Sequence, residues 1–373
     1  MRITFVAPAV DMSGGLKVVV TYAQRLVRRG HVVCVVSPPA AVPSIPRKLN
    51  SWLSGNGWPS TAAAASHLDG SGIDHRVLDR QRPVTNEDVP DADIVIATWW
   101  ETAEWVHELD SSKGAKVYFI QHHEIFPFVS RERSQRTYRL PLKKIVISSW
   151  LKQLMSTEYD DHSAVLIPNS VDSGQFFAPA RGKQALPTVG FLYSTVSFKS
   201  LHVSLTALNI VKDRLGEVRG VAFGSEHVSA EMPLPLWIEF HHLPPQDRIR
   251  LLYGRCDVWL CGSSSEGFHL PPLEAMACRC PVVSTRVGGP MDIIKNDWNG
   301  FLVEVGDSDA LADRVMHILQ LDQSAWRRMS DAALMTASGY TWDDATELLE
   351  AALQEFVRDV AVEASPGTTF TNI

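Results

Sequence analysis

Residues 263–277 read SSSEGFHLPPLEAMA, and this stretch decides the fold. A strand-like apolar run ends at about Cys261, a polar loop follows, and Pro271 or Pro272 fits the first turn of a helix, where proline is favoured. The free backbone N–H groups and the dipole at such a helix start attract a diphosphate. A strand, a loop and a helix in this order predict one unit of an α/β fold with an anion site where the helix begins.

Two carboxylates bracket this segment. Glu266 lies in the loop, and Glu274 lies about one turn into the helix. A carboxylate accepts two hydroxyl hydrogens at once, which suits the vicinal diols of a sugar and of a ribose. The spacing alone is equally compatible with two surface glutamates beside a capped helix.

The chain outside this segment repeats the same alternation of strand and helix. Residues 3–7 form a strand, Ser13-Gly14-Gly15 a tight turn, residues 16–29 an amphipathic helix and residues 32–36 the next strand. Short all-apolar strands alternating with helices predict parallel sheets covered on both faces. Further strands are predicted at 94–96, 117–120, 144–147, 189–192, 218–223, 258–261 and 281–284.

The alternation predicts two domains, as the length of 373 residues also favours. An N-terminal Rossmann-like domain is expected at 1–175, and a second, C-terminal one at 185–341. A helix over 342–360 is expected to return to the N-terminal domain, and residues 361–373 are expected to form a flexible tail. Ligands of such sheets bind beyond the carboxyl ends of the strands, so we expect the site in the cleft between the domains.

Composition excludes several classes of protein. The net charge of -7 and the pI near 6.0 argue against a nucleic-acid partner, which would require a basic face. The five cysteines are scattered and odd in number, which argues against both a zinc site and a disulfide scaffold. The N-terminus lacks the pattern of a signal peptide, and no apolar run approaches the roughly 18 residues of a membrane span. We therefore expect a cytoplasmic protein.

Two segments are either solvated or suited to contact with a membrane surface. Residues 131–144 contain six cations and one acid, Glu132. They form either a solvated face or a docking site for anionic lipid headgroups or a lipid-diphosphate acceptor, at roughly 1 kcal/mol per cation. Residues 38–70 form a long irregular insertion, in which Trp52 and Trp58 would add interfacial anchoring.

The stretch 263–277 resembles the Glu-x7-Glu element of retaining GT-B glycosyltransferases, especially family 4, whose usual form is Glu-Gly-Phe-Gly-Leu-Pro-x-Leu-Glu-Ala-Met-Ala. Other motifs of that family have similar counterparts here, in the same order. The resemblance implies a GT-B fold, with two Rossmann-like parallel-sheet domains facing a central cleft and a C-terminal helix that crosses back. It also implies that the N-terminal domain binds the acceptor and the C-terminal domain binds the nucleotide-sugar donor. The counterparts are Ser13-Gly14-Gly15, IPNSVD at 167–172, VGGP at 287–290, NGFLV at 299–303 and YTW at 340–342.

The resemblance also implies roles for single residues. Glu266 would contact the hydroxyls of the donor sugar, and Glu274 would hold the ribose. Lys199 occupies the place of a phosphate-binding lysine, which offsets charge as the bond to the diphosphate breaks. A histidine important for catalysis falls on His122 or His123 at a strand end, with His122 favoured slightly. The remaining donor-binding residues are Gly15, Gly267, Phe268, His269 and Leu270. Independently of the resemblance, the pair His241-His242 stands at a predicted strand end, and His242 is expected to line the pocket of the nucleotide base.

The sequence departs from the family pattern in three places. Phe191, Leu192 and Tyr193 stand where an arginine is usual, so that phosphate-binding cation is either missing or supplied from elsewhere, with Arg286 and Lys17 as the candidates. His269 replaces a common glycine and brings a side chain to the donor sugar. Arg279 replaces a glycine at a helix end, where a left-handed residue costs about 1 kcal/mol.

These observations predict a retaining glycosyltransferase that moves a hexose-type unit from a nucleoside diphosphate sugar to an acceptor hydroxyl. No metal and no cofactor besides this co-substrate are expected. The acceptor would be a saccharide or a lipid-linked saccharide, in polysaccharide or glycolipid assembly at the inner face of a membrane. The alternatives are a nucleotide-sugar epimerase and a catalytically silent nucleotide-sugar-binding protein. A dinucleotide oxidoreductase is disfavoured because no Gly-x-Gly-x-x-Gly turn follows Ala7.

Overall fold

The computed structural model describes residues 1–39, 65–127 and 129–363. Internal contacts divide the chain into two units. The first unit comprises residues 1–146, residues 155–165 and the chain from Thr346 onward, and the second comprises residues 147–154 and 166–345. Trp52, Trp58 and residues 364–373 of the predicted tail lie outside the described residues.

The first unit is built on a parallel sheet with the strand order β3-β2-β1-β4-β5-β6-β7. Its order reverses at β1 and β4, which are neighbours in the sheet but not in the chain. Its strands and the helices between them are β1 (Arg2–Val6), α1 (Gly14–Arg28), β2 (Val32–Ser37), β3 (Asp74–Val77), β4 (Ile94–Ala97), α2 (Trp100–Glu108), β5 (Ala115–Ile120), α3 (Arg131–Thr137), β6 (Lys143–Val146), α4 (Ser149–Tyr159) and β7 (Val165–Leu166). Residues 149–154 of α4 and Leu166 of β7 belong to the second unit.

Helix α1 begins two residues earlier than the sequence suggests. Ser13 is its N-cap, with an extended backbone and a side-chain oxygen that accepts from the backbone N–H of Leu16 at 3.4 Å. Gly14 and Gly15 therefore form the first turn of the helix, and the tight turn predicted at Ser13-Gly14-Gly15 was wrong. The Ser13 hydroxyl caps the backbone N–H of Leu16, and the helical backbone extends back from there to Gly14.

The second unit has the strand order β10-β9-β8-β11-β12-β13, all parallel. Numbered within the unit this is 3-2-1-4-5-6, the order of a Rossmann fold. Its elements are β8 (Thr188–Leu192), α5 (Leu201–Leu215), β9 (Arg219–Gly224), β10 (Ile238–His242), α6 (Gln246–Gly254), β11 (Val258–Cys261), α7 (Leu270–Ala277), β12 (Val282–Thr285), α8 (Pro290–Ile293), β13 (Gly300–Val303), α9 (Ser308–Gln320) and α10 (Gln323–Ser338).

The central strands β11 and β12 are fully buried, and β8 is buried except for the half-buried Leu192, which explains their mostly apolar sequences. In β8, a Cβ on Gly190 would lie 2.4 Å from a ring carbon of Trp259 in β11. Since real side chains do not approach so closely, only glycine lets these two strands pair at this point. The strands β8 and β11 are therefore fixed side by side where the sheet order reverses.

The last helix, α11 (Trp342–Glu363), continues three residues beyond the predicted end at 360. Within the first unit, its Glu350 forms an ion pair with Arg29 at 3.1 Å, and its other carboxylate oxygen lies 2.9 Å from Nε2 of His31. Asp359 pairs with Lys143 at 2.6 Å. Among the described helices, none is both long enough and apolar enough to cross a membrane.

Candidate functional site

The candidate site of the second unit lies where its strand order reverses. Strands β8 and β11 are neighbours, and the loops that leave their carboxyl ends start from the same edge of the sheet. The loop after β8 carries Lys199, and the loop after β11 carries Glu266 and leads into α7. Ligands of open parallel sheets bind at such a switch point.

Lys199 and Glu266 form a buried ion pair. The Lys199 Nζ lies 2.7 Å from Glu266 Oε1, and the hydroxyl of Ser263 donates to the same oxygen at 2.7 Å. The Glu266 side chain is 5% exposed and the Lys199 side chain 21%. Burial alone would raise the pKa of Glu266. The charge of His269 when that ring is protonated, the charge of Lys199 and these two hydrogen bonds outweigh burial and hold the pKa well below its usual value. Glu266 is therefore an ionised carboxylate that only accepts hydrogen bonds.

His269 is the residue that precedes α7, and its backbone is left-handed, with φ 66°. This conformation accounts for the glycine that is common at this position in the family pattern, since a residue with a side chain pays about 1 kcal/mol to adopt a left-handed backbone. The imidazole is 3% exposed, and its Nε2 lies 3.4 Å from Glu266 Oε1. Burial lowers the pKa of His269. Because the ring is then neutral at pH 7, the ionisation of Glu266 depends on Lys199 and Ser263.

Arg279 shows the same backbone feature just beyond the other end of α7. Its φ is 62°, so both residues that replace family glycines are left-handed. The Arg279 guanidinium pairs with Asp331, and the hydroxyl of Ser330 donates to its carbonyl at 2.7 Å. Nothing in these contacts connects Arg279 to Glu266, so its role is structural.

Glu274 is buried in α7 and engaged by a tyrosine that sequence reasoning missed. The hydroxyl of Tyr253, in α6, donates to Glu274 Oε2 at 2.9 Å. Tyr253 precedes Glu274 by 21 residues, and only the packing of α6 against α7 brings the two together. Ser263, by contrast, stands three residues before Glu266, a spacing at which a loop hydroxyl commonly reaches a carboxylate, and its role was detectable from sequence.

The glycines of the VGGP motif hold the Glu266 loop in place. A Cβ on Gly288 would lie 2.3 Å from the carbonyl oxygen of Glu266, and one on Gly289 would lie 2.1 Å from that of Phe268. Gly288 is also left-handed, with φ 36°. The backbone of residues 266–268, including Gly267, is thus packed directly on the backbone that precedes α8, and Leu270 begins α7.

His242 lies at a different part of the second unit. It ends β10, the edge strand two places from β8, and its ring stacks on His227 at 3.7 Å. A cavity of about 610 Å³ opens between β10 and α6. Its lining residues are Phe240, His241, His242, Pro244, Pro245, Arg248, Leu251, Leu252 and Arg255. A role of His242 beside the nucleotide base stays a prediction.

The place of the expected arginine is filled by core side chains. Phe191 and Tyr193 are buried, and the Tyr193 hydroxyl bonds to the backbone of Met232 and Ser229 at 3.0 and 2.8 Å. Arg286 pairs with the exposed carboxylate of Glu304 at 2.9 Å. Lys199 is therefore the cation whose contacts tie it directly to Glu266.

His122 and His123 lie in the first unit, immediately after β5. His123 Nε2 lies 2.6 Å from the Tyr159 hydroxyl, and burial lowers the pKa of His123 to about 4. The His122 ring packs 4.8 Å from that of Phe126, and its Nδ1 lies 3.0 Å from the carbonyl oxygen of His123. The ring of His123 is thus engaged by the hydroxyl of Tyr159. The assignment of His122 as the catalytic histidine stays a prediction.

Gly15 lies in the same unit, under the side chain of Gln121. A Cβ at Gly15 would meet the Gln121 amide at 3.4 Å, so the helix start and the end of β5 are closely packed. Gln121 precedes the two histidines directly. Gly15, the second residue of α1, and the histidine loop therefore belong to one packed region.

Glu124 fixes the histidine loop from inside the first unit. Its fully buried carboxyl group accepts from the backbone N–H of Trp100 at 2.7 Å and from the Tyr118 hydroxyl at 2.9 Å. Its backbone N–H donates to the Tyr138 hydroxyl at 2.7 Å. Burial raises the pKa of Glu124 to about 8. This acid follows the histidines in sequence but was not predicted to be buried.

The basic segment 131–144 is largely paired within the chain. Its ion pairs are Arg133 with Glu104, Arg136 with Glu132, Lys143 with Asp359 and Lys144 with Asp161. Four of the six cations thus have carboxylate partners. Across the described ranges, no group of three or more acidic, histidine or cysteine side chains is arranged to hold a metal ion.

Two parallel sheets, each with a reversal of strand order, place the chain in the GT-B fold class of glycosyltransferases. The chain carries a domain of the family Glycosyl transferases group 1, whose match covers residues 181–334. The solved structure of Anabaena HepE, in complex with UDP and glucose, covers 97% of this chain, which covers 99% of HepE, at a TM-score of 0.69 and 15% identity. The fold predicted from the sequence is confirmed.

Curated relatives match shorter stretches. N-acetyl-alpha-D-glucosaminyl L-malate synthase of Bacillus anthracis is 40% identical over 91 residues, which are 24% of each chain. D-inositol 3-phosphate glycosyltransferase of Mycobacterium avium (strain 104) is 35% identical over 123 residues, or 32% of this chain and 29% of the relative. The matched stretch thus spans less than a third of the length of either relative.

We expect Gly289→Ala to destabilise the protein, because its Cβ would overlap the carbonyl oxygen of Phe268. Overpacking against rigid backbone costs about 1–3 kcal/mol, so the midpoint of thermal unfolding should fall. Gly14→Ala is the matched control, since nothing lies within 4 Å of its added Cβ and it sits in a helix. Equal midpoints for the two variants would contradict the packing of the Glu266 loop.

We expect Glu124→Gln to flatten the pH dependence of stability. The folded-state pKa of about 8 exceeds the ordinary value of 4.5, so the folded protein keeps a proton that the unfolded chain loses between these values. Stability contributed by Glu124 is therefore fully present below about pH 4.5 and is lost as the pH rises toward 8. Unfolding midpoints of both proteins from pH 5 to 8 test this, and parallel curves would refute it.

Proposed function

We propose that this protein is a retaining glycosyltransferase, with a nucleoside diphosphate sugar as donor and a hydroxyl group as acceptor. The observation that supports it most is the buried pair of Lys199 and Glu266 beside the start of α7, at the switch point of a Rossmann-like sheet. This combines an anion-binding helix start with a carboxylate that accepts hydroxyl hydrogens. The match over residues 181–334 and the glycosyltransferase names of relatives support the same activity.

In this proposal the donor lies along the loop 266–269. Its diphosphate meets the N-terminus of α7 and Lys199, which together offset its negative charge. Glu266 accepts hydrogens from sugar hydroxyls, and Glu274 accepts those of the ribose. The complex of Anabaena HepE with UDP and glucose supports a uridine nucleotide as the first donor to examine.

The proposed reaction exchanges one bond at the anomeric carbon. The bond to the leaving phosphate oxygen breaks, the acceptor oxygen forms its bond on the same face, and the acceptor proton passes to the leaving oxygen. Lys199 and the helix dipole stabilise the charge that develops on the diphosphate, without a required divalent metal. His122 would position the acceptor hydroxyl or a sugar oxygen.

The acceptor and the place of action belong to the same proposal. A saccharide or lipid-linked saccharide acceptor fits polysaccharide or glycolipid assembly, carried out in the cytoplasm and partly at the inner face of the membrane. The ion pairs in residues 131–144 weaken the argument for the membrane, because they compensate four of its six cations. Binding to vesicles with anionic lipids, compared with neutral ones, tests this part.

A thermal-shift panel of UDP-, GDP- and dTDP-sugars identifies the donor. A ligand at about 100 times its dissociation constant stabilises the folded protein by roughly 2.7 kcal/mol. Release of the nucleoside diphosphate should then require an acceptor and give a product of unchanged anomeric configuration. Donor epimers formed without acceptor would favour the nucleotide-sugar epimerase. Tight binding without any turnover would favour the silent binding protein.

We expect Glu266→Gln to lower kcat at least tenfold while the fold persists. Glutamine keeps an oxygen for the Ser263 hydroxyl but removes the charge that pairs with Lys199, and a hydrogen bond to a charged group contributes about 1.5–3 kcal/mol. Steady-state rates with the donor from the panel measure this. Glu355→Gln, an exposed residue of α11, is the control. A folded Glu266→Gln enzyme with normal kcat would exclude the proposed role.

We expect Glu274→Gln to raise KM more than it lowers kcat. The proposed contact with the ribose is the same in the bound donor and in the transition state, so its loss weakens both equally. Glutamine still offers an oxygen to the Tyr253 hydroxyl, which preserves the packing of α6 on α7. Calorimetry with the free nucleoside diphosphate provides the direct measurement, and an unchanged affinity would rule out the ribose contact.

A further inference from the structure

We propose that Nδ1 of His269 accepts a hydrogen bond from one hydroxyl group of the donor sugar and makes that hydroxyl a requirement for donor use. The inference rests on the proposed function, because it takes the ligand to be a nucleotide sugar. It assigns His269 a specificity-determining role that goes beyond filling space beside the ring.

The neighbours of His269 determine which of its nitrogens carries the proton. Its Nε2 is 3.4 Å from Glu266 Oε1, and an ionised carboxylate is only an acceptor. A lone pair on Nε2 would face that negative oxygen, whereas an N–H is attracted to it. The neutral ring therefore carries its hydrogen on Nε2. Nδ1 then has a lone pair and acts only as an acceptor.

This acceptor is buried and has no protein partner. Nδ1 makes no hydrogen bond within the described part of the chain, although the imidazole is only 3% exposed. Buried polar atoms are nearly always satisfied, so each exception calls for an explanation. The left-handed backbone of His269 is a second unfavourable feature, and a glycine would remove both at once. A ligand that supplies the missing hydrogen explains why this position carries an imidazole.

The chemistry of Nδ1 selects among the parts of a nucleotide sugar. A diphosphate at neutral pH has acceptor oxygens and no hydrogen to give, so it does not satisfy Nδ1. The sugar hydroxyls do carry such hydrogens. Because Glu266 is 3.4 Å from the other ring nitrogen, the hydroxyl at Nδ1 should be a different one from those at Glu266.

Donor analogues test this directly. For the preferred donor, each sugar hydroxyl is replaced in turn by hydrogen and by fluorine, and kcat/KM is measured. Fluorine has the polarity of an acceptor but no hydrogen to donate. At one position of the sugar, we expect kcat/KM of the wild-type enzyme to be at least tenfold lower for both analogues than for the parent donor. The reason is that sites that bind a hydroxyl reject analogues lacking it. The proposal would be overturned if no position showed a loss of kcat/KM with both analogues. It would also be overturned if the deoxy sugar lost activity while the fluoro sugar did not.

Variants at His269 assign that discrimination to its side chain. His269→Gly should lose activity with the parent donor. The ratio of kcat/KM for the parent donor to kcat/KM for the deoxy analogue should fall to below about threefold. His269→Asn tolerates the left-handed backbone and keeps a side-chain oxygen acceptor, so part of the ratio should return. Arg279→Gly is the matched control. It also replaces a left-handed residue next to α7 by glycine, but at a position that does not contact Glu266. Arg279→Gly should leave the ratio unchanged. If His269→Gly instead lowered kcat/KM for all donors by one common factor, the proposal would be refuted.

A spectroscopic measurement is independent of turnover. The ¹⁵N NMR signals of the His269 ring should show hydrogen on Nε2 in the free protein, and Nδ1 should shift with the nucleotide sugar but not with the nucleoside diphosphate alone. Hydrogen on Nδ1 would contradict the assignment. If no nucleotide sugar binds to the wild-type protein, the proposed function fails as well. If donors bind and react but the ratio does not depend on residue 269, only this inference fails.

Discussion

The ion pair of Lys199 and Glu266 is the constraint on which the second unit's site depends. A carboxylate that is only 5% exposed is stable in its ionised form when a cation and hydrogen-bond donors replace water. Removing one partner of such a buried pair typically costs 3–5 kcal/mol. The loops after β8 and β11 therefore cannot move independently without separating the charge from its partner. The reversal of strand order matters because it places these two loops next to each other.

A second constraint is the close contact between backbones around Gly288 and Gly289. Strand β12 follows β11 in the sheet, so the loops that leave them lie side by side. The hydroxyl of Thr285, at the end of β12, donates to the carbonyl oxygen of Ser263 at 2.5 Å. Two motifs separated by about twenty residues in sequence are thus one structural element. One contains the carboxylate, and the other holds its loop through contacts that only glycine permits.

The sequence predicted what depends on local pattern and missed what depends on packing. Most of the buried strands were evident from apolar runs, and the helix start at α7 from its prolines. The buried strand β13 was not predicted, because its four residues begin with a glycine and give only a short apolar run. Strand β3 was missed because its residues, Asp74–Val77, are mostly polar and exposed at a sheet edge. The bond from Tyr253 to Glu274 joins different helices, and the burial of Glu124 depends on Tyr118 and Trp100, so neither has a local signal. The left-handed backbone at residues 269 and 279 was detectable only through comparison with glycines of the family.

The charges at Lys199 and Glu266 sum to zero, and this limits how a diphosphate can be held. Phe191 and Tyr193 fill the place of the expected arginine with core packing, so that cation cannot return without disturbing the sheet. An ammonium group, however, has three hydrogens, and Glu266 Oε1 requires one of them. Under the proposed function, Lys199 can keep its bond to Glu266 while it donates to a phosphate oxygen. Donor binding would then retain the ion pair, and the sugar hydroxyls would meet a carboxylate already fixed in position.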